Sequence, residues 1–307
     1  MRVAVAGTCG LAREIAREIN DETSHQLVIL SRSSQPVLID QGYQCQIVVY
    51  DNPASLQHAL MGVDTVISTV TGTPQLQLID AAVQCGVRRF APAEFEGQPG
   101  LRGPDPVLDR GKFAALSRLR HYQGKIEHTV FVCGILYERF SVNGMLSHQI
   151  GTNTNYGREG DYIANPRSMT ALAPTYDAVH NLSYVCLTSA YDVAQFVVRA
   201  LDMPVWATEM SMYGERLTVN DLVNLIQSCR NKHWASIVHQ DVDNLRYQLN
   251  QAQITGNFML SSKLSPLVAT AEGRFDFSVP GYLNQLNRDI VTTPFRDWFI
   301  GNWASIS

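Results

Sequence analysis

No stretch of this chain approaches the run of about 18 apolar residues that a membrane-spanning helix needs, so a helical integral membrane protein is excluded. Neither sign of charge is in excess. The 24 Lys and Arg stand against 28 Asp and Glu, which leaves no electrostatic footprint for nucleic acid or an anionic membrane surface. The six cysteines (Cys9, Cys45, Cys85, Cys133, Cys186 and Cys229) are scattered and form no C-x-x-C pair. Neither a disulfide framework nor a zinc site is therefore encoded, and the thiols are expected to be reduced and mostly buried. No H-E-x-x-H and no G-x-S-x-G occurs, so metal-dependent or serine-hydrolase chemistry has no support. Gly111-Lys112 is not a P-loop, because no glycine lies five residues earlier and no Ser or Thr follows the lysine. Arg2 opens a strand that the fold needs, which argues against a cleaved signal peptide and for a cytoplasmic protein. Without an export signal the tripeptide Asn181-Leu182-Ser183 carries no meaning as a glycosylation site.

What is present is a chain of 307 residues, 45% apolar, long enough for a large core and for two unequal domains. Met1 to Ala6 reads as a short buried strand. Leu11, Ile15 and Ile19 then repeat at helical spacing, so Gly7-Thr8-Cys9-Gly10-Leu11-Ala12 is a glycine turn between strand and helix. Such a turn aims backbone N–H groups and the positive end of a helix dipole at one point, where glycine lets a pyrophosphate approach. The expected ligand is a dinucleotide. The bland alternative is a tight turn that binds nothing.

A second strand, Leu27 to Leu30, ends in Ser31-Arg32-Ser33. An acidic residue at this tip would hold a free ribose 2′-hydroxyl, and there is none. Arg32 flanked by Ser31 and Ser33 suits a 2′-phosphate instead, which favours NADPH over NADH. The third strand, Cys45 to Tyr50, ends at Asp51, which could cap the loop or touch the adenine amino group. A helix covers Ser55 to Gly62. The fourth strand, Asp64 to Val70, brings Ser68, Thr69 and Val70 to the edge beside the cofactor. Pro74 to Cys85 is a helix, and a fifth strand follows Gly86. Four strand-helix units in about ninety residues demand a Rossmann-type α/β fold, a doubly wound parallel sheet. The loosely patterned Phe140 to His180, including Gly151 to Gly157, reads as short strands and loops that begin a substrate lobe. The expected division is 1–150 for the dinucleotide-binding domain, with 184–204 returning to it as strand and helix. A smaller α+β substrate lobe occupies 151–307. Late helices are expected at Val219 to Cys229, with Thr218 as N-cap, and at Leu245 to Thr255, Tyr282 to Arg288 and Thr293 to Phe299.

The segment Gly86-Val87-Arg88-Arg89-Phe90-Ala91-Pro92-Ala93-Glu94-Phe95 resembles the G-V-K-R-F-x-P-S-E-F stretch of the isoflavone reductase-like and NmrA-like proteins, an atypical branch of the short-chain dehydrogenase/reductase superfamily. Ser189-Ala190-Tyr191-Asp192-Val193-Ala194-Gln195-Phe196 resembles that family's D-V-A-x-F helix, and Gly214-Glu215-Arg216-Leu217-Thr218 its late G-x-x-L-T turn. The likeness covers most of residues 1 to 230.

The resemblance implies that Ala91 and Glu94 border the cofactor. It implies that the loop Cys133-Gly134-Ile135-Leu136-Tyr137, following a sixth strand from His128, touches cofactor or substrate. Lys112, on the helix Arg110 to Arg120, falls where the family's reductases carry a catalytic lysine. A lysine there can give a proton or a hydrogen bond to oxygen as hydride reaches carbon. The alternative for Lys112 is a solvated lysine on an outer helix face. Tyr137 is either a second catalytic candidate or a buried aromatic whose hydroxyl is satisfied locally. Many relatives have three turn glycines. This turn is one residue shorter and puts Ala12 or Arg13 where the last would fall. Three functions stay open: an NADPH-dependent reductase of a medium-sized aromatic or heterocyclic metabolite, a non-redox cyclase or isomerase that keeps NADP(H) bound, and an NmrA-like dinucleotide-sensing regulator. The partner is a small-molecule substrate, and the protein is a monomer or homodimer.

Overall fold

The computed structural model of the protein describes residues 1–103, 105–152, 154, 157–277 and 281–306. The chain forms two compact units. One holds Met1–Phe95, Asp109–Phe131 and Ala194–Met210, the other Glu96–Leu108, Val132–Val193 and the chain from Ser211 onward.

The first unit is an alternation of strands and helices: β1 (Arg2–Ala6), α1 (Leu11–Glu22), β2 (Gln26–Ser31), α2 (Pro36–Asp40), β3 (Cys45–Ile47), α3 (Pro53–Leu60), β4 (Thr65–Ser68), α4 (Thr73–Gln84) and β5 (Arg89–Ala91). Its six strands lie in the order β3, β2, β1, β4, β5 and Glu127–His128, and every pairing is parallel. The chain runs outward from β1 through β2 and β3, then returns to place β4 on the other side of β1. In open α/β sheets the crevice beyond the carboxyl ends of two such strands is where ligands bind. Val3 to Ala6, Val28 to Leu30 and all of β4 are buried, as a sheet covered on both faces requires. The apolar stripe of α1, Leu11, Ala12, Ile15, Ala16 and Ile19, is buried, while Arg13 and Arg17 are exposed. Asn52 caps α3 by accepting from the N–H groups of Ala54 and Ser55, with Pro53 in the first turn.

Arg89 in β5 has no exposed surface. Its guanidinium pairs with Glu127 and donates to the carbonyls of Leu201, Met203 and Pro204, the end of the helix Ala190–Leu201 and the turn after it. Trp206 stacks on the same cation. The second arginine of the Gly86–Phe95 segment is thus a cap for helix carbonyls that would otherwise end buried.

In the second unit, Tyr184–Thr188 pairs antiparallel with Glu215–Thr218 and parallel with Ile135–Leu136. Thr170–Tyr176 pairs parallel with Ser236–Asp241 and antiparallel with Ala164–Asn165. Helices Val219–Arg230, Val242–Ile254, Phe258–Ala271 and Phe295–Trp303 pack into one apolar cluster with these strands. Thr218 caps the first of these helices as expected, its hydroxyl accepting from the Asp221 N–H.

Three local expectations change. The third strand stops at Ile47, after which Val48 still donates to the Ser31 carbonyl but Asn52 turns back onto Val49. The sixth strand is broken into Glu127–His128, Val130–Val132 and Ile135–Leu136, and the last break falls at Gly134, whose left-handed φ of 70° no strand continues through. Tyr184–Thr188 forms its strand but joins the three-stranded sheet just described rather than the six-stranded one. Phe258–Ala271 forms a further helix. Of the loop expected at Gly151 to Gly157, Asn153, Asn155 and Tyr156 lie outside the described residues. Among the described residues no helix is long and apolar enough to cross a membrane.

Candidate active site

The site begins where β1 meets β4. Gly7 follows β1 with φ 127°, and a Cβ on it would lie 2.1 Å from Oγ1 of Thr69 and 3.3 Å from Cβ of Ala12. Thr69 is fixed there, since its hydroxyl donates to the Ala6 carbonyl at 2.9 Å. Only glycine fits between the two strand ends and the first turn of α1. Ala12, which is buried, is the residue at this close approach, and Arg13 points to solvent. The choice that the shortened turn left open is settled in favour of alanine.

Gly10 stands at the N-cap of α1 with φ 52° and offers no side-chain cap. Among the described residues the N–H groups of Thr8, Cys9 and Gly10 make no hydrogen bond, whereas those of Ala12 and Arg13 turn back onto Cys9 and Gly10. Unfilled donors at the start of a 12-residue helix form an anion cradle, and the missing Cβ of Gly7 keeps it open. These features fit the pyrophosphate of a dinucleotide.

At the carboxyl end of β2, Ser31 is buried and its hydroxyl accepts from the Ser33 N–H and from Nε2 of Gln35. Gln35 also reaches the Ser33 hydroxyl. The two serines are thereby held by a residue that sequence reasoning did not single out, and Arg32 between them is exposed. Its charge is felt at Tyr50: burial pushes that phenol up to about 12 while the guanidinium opposes the rise. Asp51, next to Tyr50, is exposed. Beyond β4, the Ser68 hydroxyl is spent on both the N–H and the carbonyl of Val70, which shapes the turn toward Gly72.

Ala91 ends β5, and after it the Ala93 N–H donates to Oε1 of the buried Gln75 at 2.6 Å. Glu94 is 1% exposed. The helix Lys112–His121 starts beside this region. Asp109 caps it through the N–H groups of Gly111 and Phe113. Gly111 has φ 82° and comes so near the turn after β4 that a Cβ would stand 3.4 Å from Cα of Gly72. That contact puts the first residue of the helix, Lys112, at the carboxyl edge of the sheet. Lys112 is 3% exposed, so it is not a solvated lysine on an outer face.

In the second unit, the N–H groups of Cys133 and Gly134 both donate to the Glu96 carbonyl, and the Cys133 carbonyl accepts from the Thr188 hydroxyl. A Cβ on Gly134 would lie 2.1 Å from the Cys186 carbonyl oxygen. Ile135 is paired with Leu187. Tyr137 is fully buried. Its hydroxyl donates to the Thr293 carbonyl at 3.0 Å, and its ring packs against Phe295 and Trp298. Burial and the nearby carboxylates of Glu215, Asp192 and Glu138 raise its pKa far above the ordinary phenol range. This is the geometry of a buried aromatic whose hydroxyl is satisfied locally. Asp192, the acid of the D-V-A-x-F motif, is buried and accepts from both the N–H and the hydroxyl of Thr293, which fixes the carbonyl that Tyr137 uses.

Comparison with known proteins agrees with this architecture. The model of the NmrA-like family matches residues 2–244. The chain is 25% identical to the protein named oxidoreductase BOA1 of Botryotinia fuckeliana (strain B05.10), over 97% of this chain and 98% of that one. The solved structure of leucoanthocyanidin reductase from Vitis vinifera in binary complex with NADPH superposes with a TM-score of 0.73 at 18% identity, covering 98% and 99% of the two chains. That of AtPrR2 with NADP+ and (+)pinoresinol gives 0.72 at 20% identity, covering 97% of each.

Proposed function

Because the chain belongs to the NmrA-like family, we propose that it is an NADPH-dependent reductase of a medium-sized aromatic or heterocyclic metabolite. The observation that carries the reading is the cradle at the β1–β4 switch point, where Gly7 meets Thr69 and the N–H groups of Thr8, Cys9 and Gly10 are unfilled. In this reading the turn Gly7 to Ala12 holds the pyrophosphate, and Arg32 holds the 2′-phosphate through a guanidinium fork. Asp51 borders the adenine end. Ser68, Thr69 and Val70 line the crevice beside Ala91 and Glu94. The relative named as an oxidoreductase and the NADPH and NADP+ complexes of the structural neighbours support it.

When bound, the dinucleotide supplies hydride. Lys112, at the start of its helix, donates a proton or a hydrogen bond to the substrate oxygen as that atom gains charge. A buried ammonium acts more strongly there than a solvated one, because little water screens it. Tyr137, whose proton is held by Thr293, positions neighbouring segments instead. Incubation with NADPH and a panel of ketones, imines and activated alkenes, followed at the nicotinamide absorbance, tests the reading. Consumption with at least one class is expected, and none with any would remove it.

A further inference from the structure

Within the second unit, the helices Val242–Ile254 and Phe258–Ala271, together with residues 102–103 and 105–108, line a half-open cavity of about 590 Å3. Its origin is legible residue by residue. Ala252, Ser261, Ser265 and Ala269 stand on the inner faces of the two helices, where packed helices usually bring together larger side chains. The cavity has the volume of roughly 20 waters, and it falls within the ~300–1,000 Å3 typical of small-molecule sites.

The wall says what would fill it. Leu108, Leu249 and Val268 make much of it apolar. Glu272 is already held by Arg246 through two hydrogen bonds of 2.9 and 2.7 Å, and the other charged residues of the wall, Arg102 and Asp105, are of opposite sign. No net charge is left to be matched by a ligand. Ser265 is 1% exposed, and its hydroxyl finds no hydrogen-bond partner among the described residues. A buried hydroxyl without a partner is costly, and a ligand oxygen at this wall would supply one.

We propose that this cavity receives an uncharged, largely apolar multi-ring molecule, and that Ser265 reads a hydroxyl or carbonyl oxygen on it. This binding does not depend on the reductase reading. The test uses two fluorescent probes, pyrene and 1-hydroxypyrene, titrated into the full-length protein. Both bind saturably, with the pyrene emission bands reporting an apolar surrounding. Ala269→Trp puts an indole into the cavity and weakens both several-fold while NADPH binding is retained. Ser265→Ala raises the Kd of 1-hydroxypyrene roughly 3- to 10-fold, the scale of one neutral hydrogen bond, and leaves pyrene within about twofold. If Ala269→Trp does not fold, Ala252→Leu on the facing helix takes its place.

Absent or unsaturable binding overturns the proposal. So does undiminished binding to the Ala269→Trp variant, which would put the probes on exposed apolar residues outside the cavity, such as Met259. Equal effects of Ser265→Ala on the two probes remove Ser265 from its role. A failed turnover screen leaves these results standing, and failed probe binding leaves the turnover screen standing.

Discussion

Replacing Gly7 with alanine places a methyl group 2.1 Å from Oγ1 of Thr69, on a backbone with φ 127° that L-residues rarely adopt. Thr69 cannot step aside freely, because its hydroxyl is bonded to the Ala6 carbonyl. Two costs follow: a strained backbone at about 1 to 3 kcal/mol, and the loss of the Thr69 hydrogen bond at about 0.5 to 1.5 kcal/mol. The sum, about 1.5 to 4.5 kcal/mol, corresponds to a fall in Tm on the order of 2 to 7 °C for a chain of this size. The double variant Gly7→Ala/Thr69→Ala removes the obstacle, since the remaining Cβ of residue 69 stands at 3.5 Å, an ordinary contact. It loses the same hydrogen bond and keeps the same backbone strain, so it should melt close to the single variant. Its NADPH affinity should nevertheless stay at least about tenfold weak, because the added methyl still narrows the cradle. Differential scanning fluorimetry and a fluorescence titration with NADPH make both measurements. A Gly7→Ala protein that melts and binds like the parent would refute the reasoning, and a double variant melting well below the single would show that Gly7→Ala had left the Thr69 hydrogen bond intact.

Lys112→Ala should fold, bind NADPH with near-normal affinity and lose about 100- to 10,000-fold in turnover, with Lys112→Arg only partly active; more than about a tenth of the parent rate in Lys112→Ala would take the acid role from this residue. Arg32→Ala should weaken NADPH by about 1.5 to 3 kcal/mol and spare NADH, which paired titrations would read, and equal losses would separate Arg32 from the 2′-phosphate. Asp192→Ala, which deprives Thr293 of two hydrogen bonds to a carboxylate, should destabilise by about 1.5 to 3 kcal/mol in a urea melt. Burial raises the Asp192 pKa, so the native state binds its proton more tightly than the unfolded chain does. That contribution is fully present below the ordinary aspartate range and is lost as pH rises through the raised native value. The stability of Asp192→Asn relative to the parent should therefore improve over that rise, and a constant difference across pH would contradict it.

What the sequence alone determined was local. The run from Val3 through Ile19 specifies strand, turn and helix by burial pattern, glycine and a 3.6 repeat, none of which needs a distant partner. The cap at Thr218 was legible for the same reason. Phe258–Ala271 was not, because ten of its fourteen residues are buried and it carries Pro266, so it lacks the polar stripe that makes a helix readable. The tertiary structure alone decided which of Ala12 and Arg13 packs beside Gly7, since that depends on where β4 delivers Thr69, more than fifty residues further along. It also decided that Lys112 is buried: its own helix has two possible faces, and the approach of Gly111 to Gly72 selects one. The same holds for Tyr137, whose hydroxyl goes to Thr293, a partner 156 residues away. Periodicity reports which face of an element is apolar, but the identity of what covers it is fixed only when segments remote in the chain pack together.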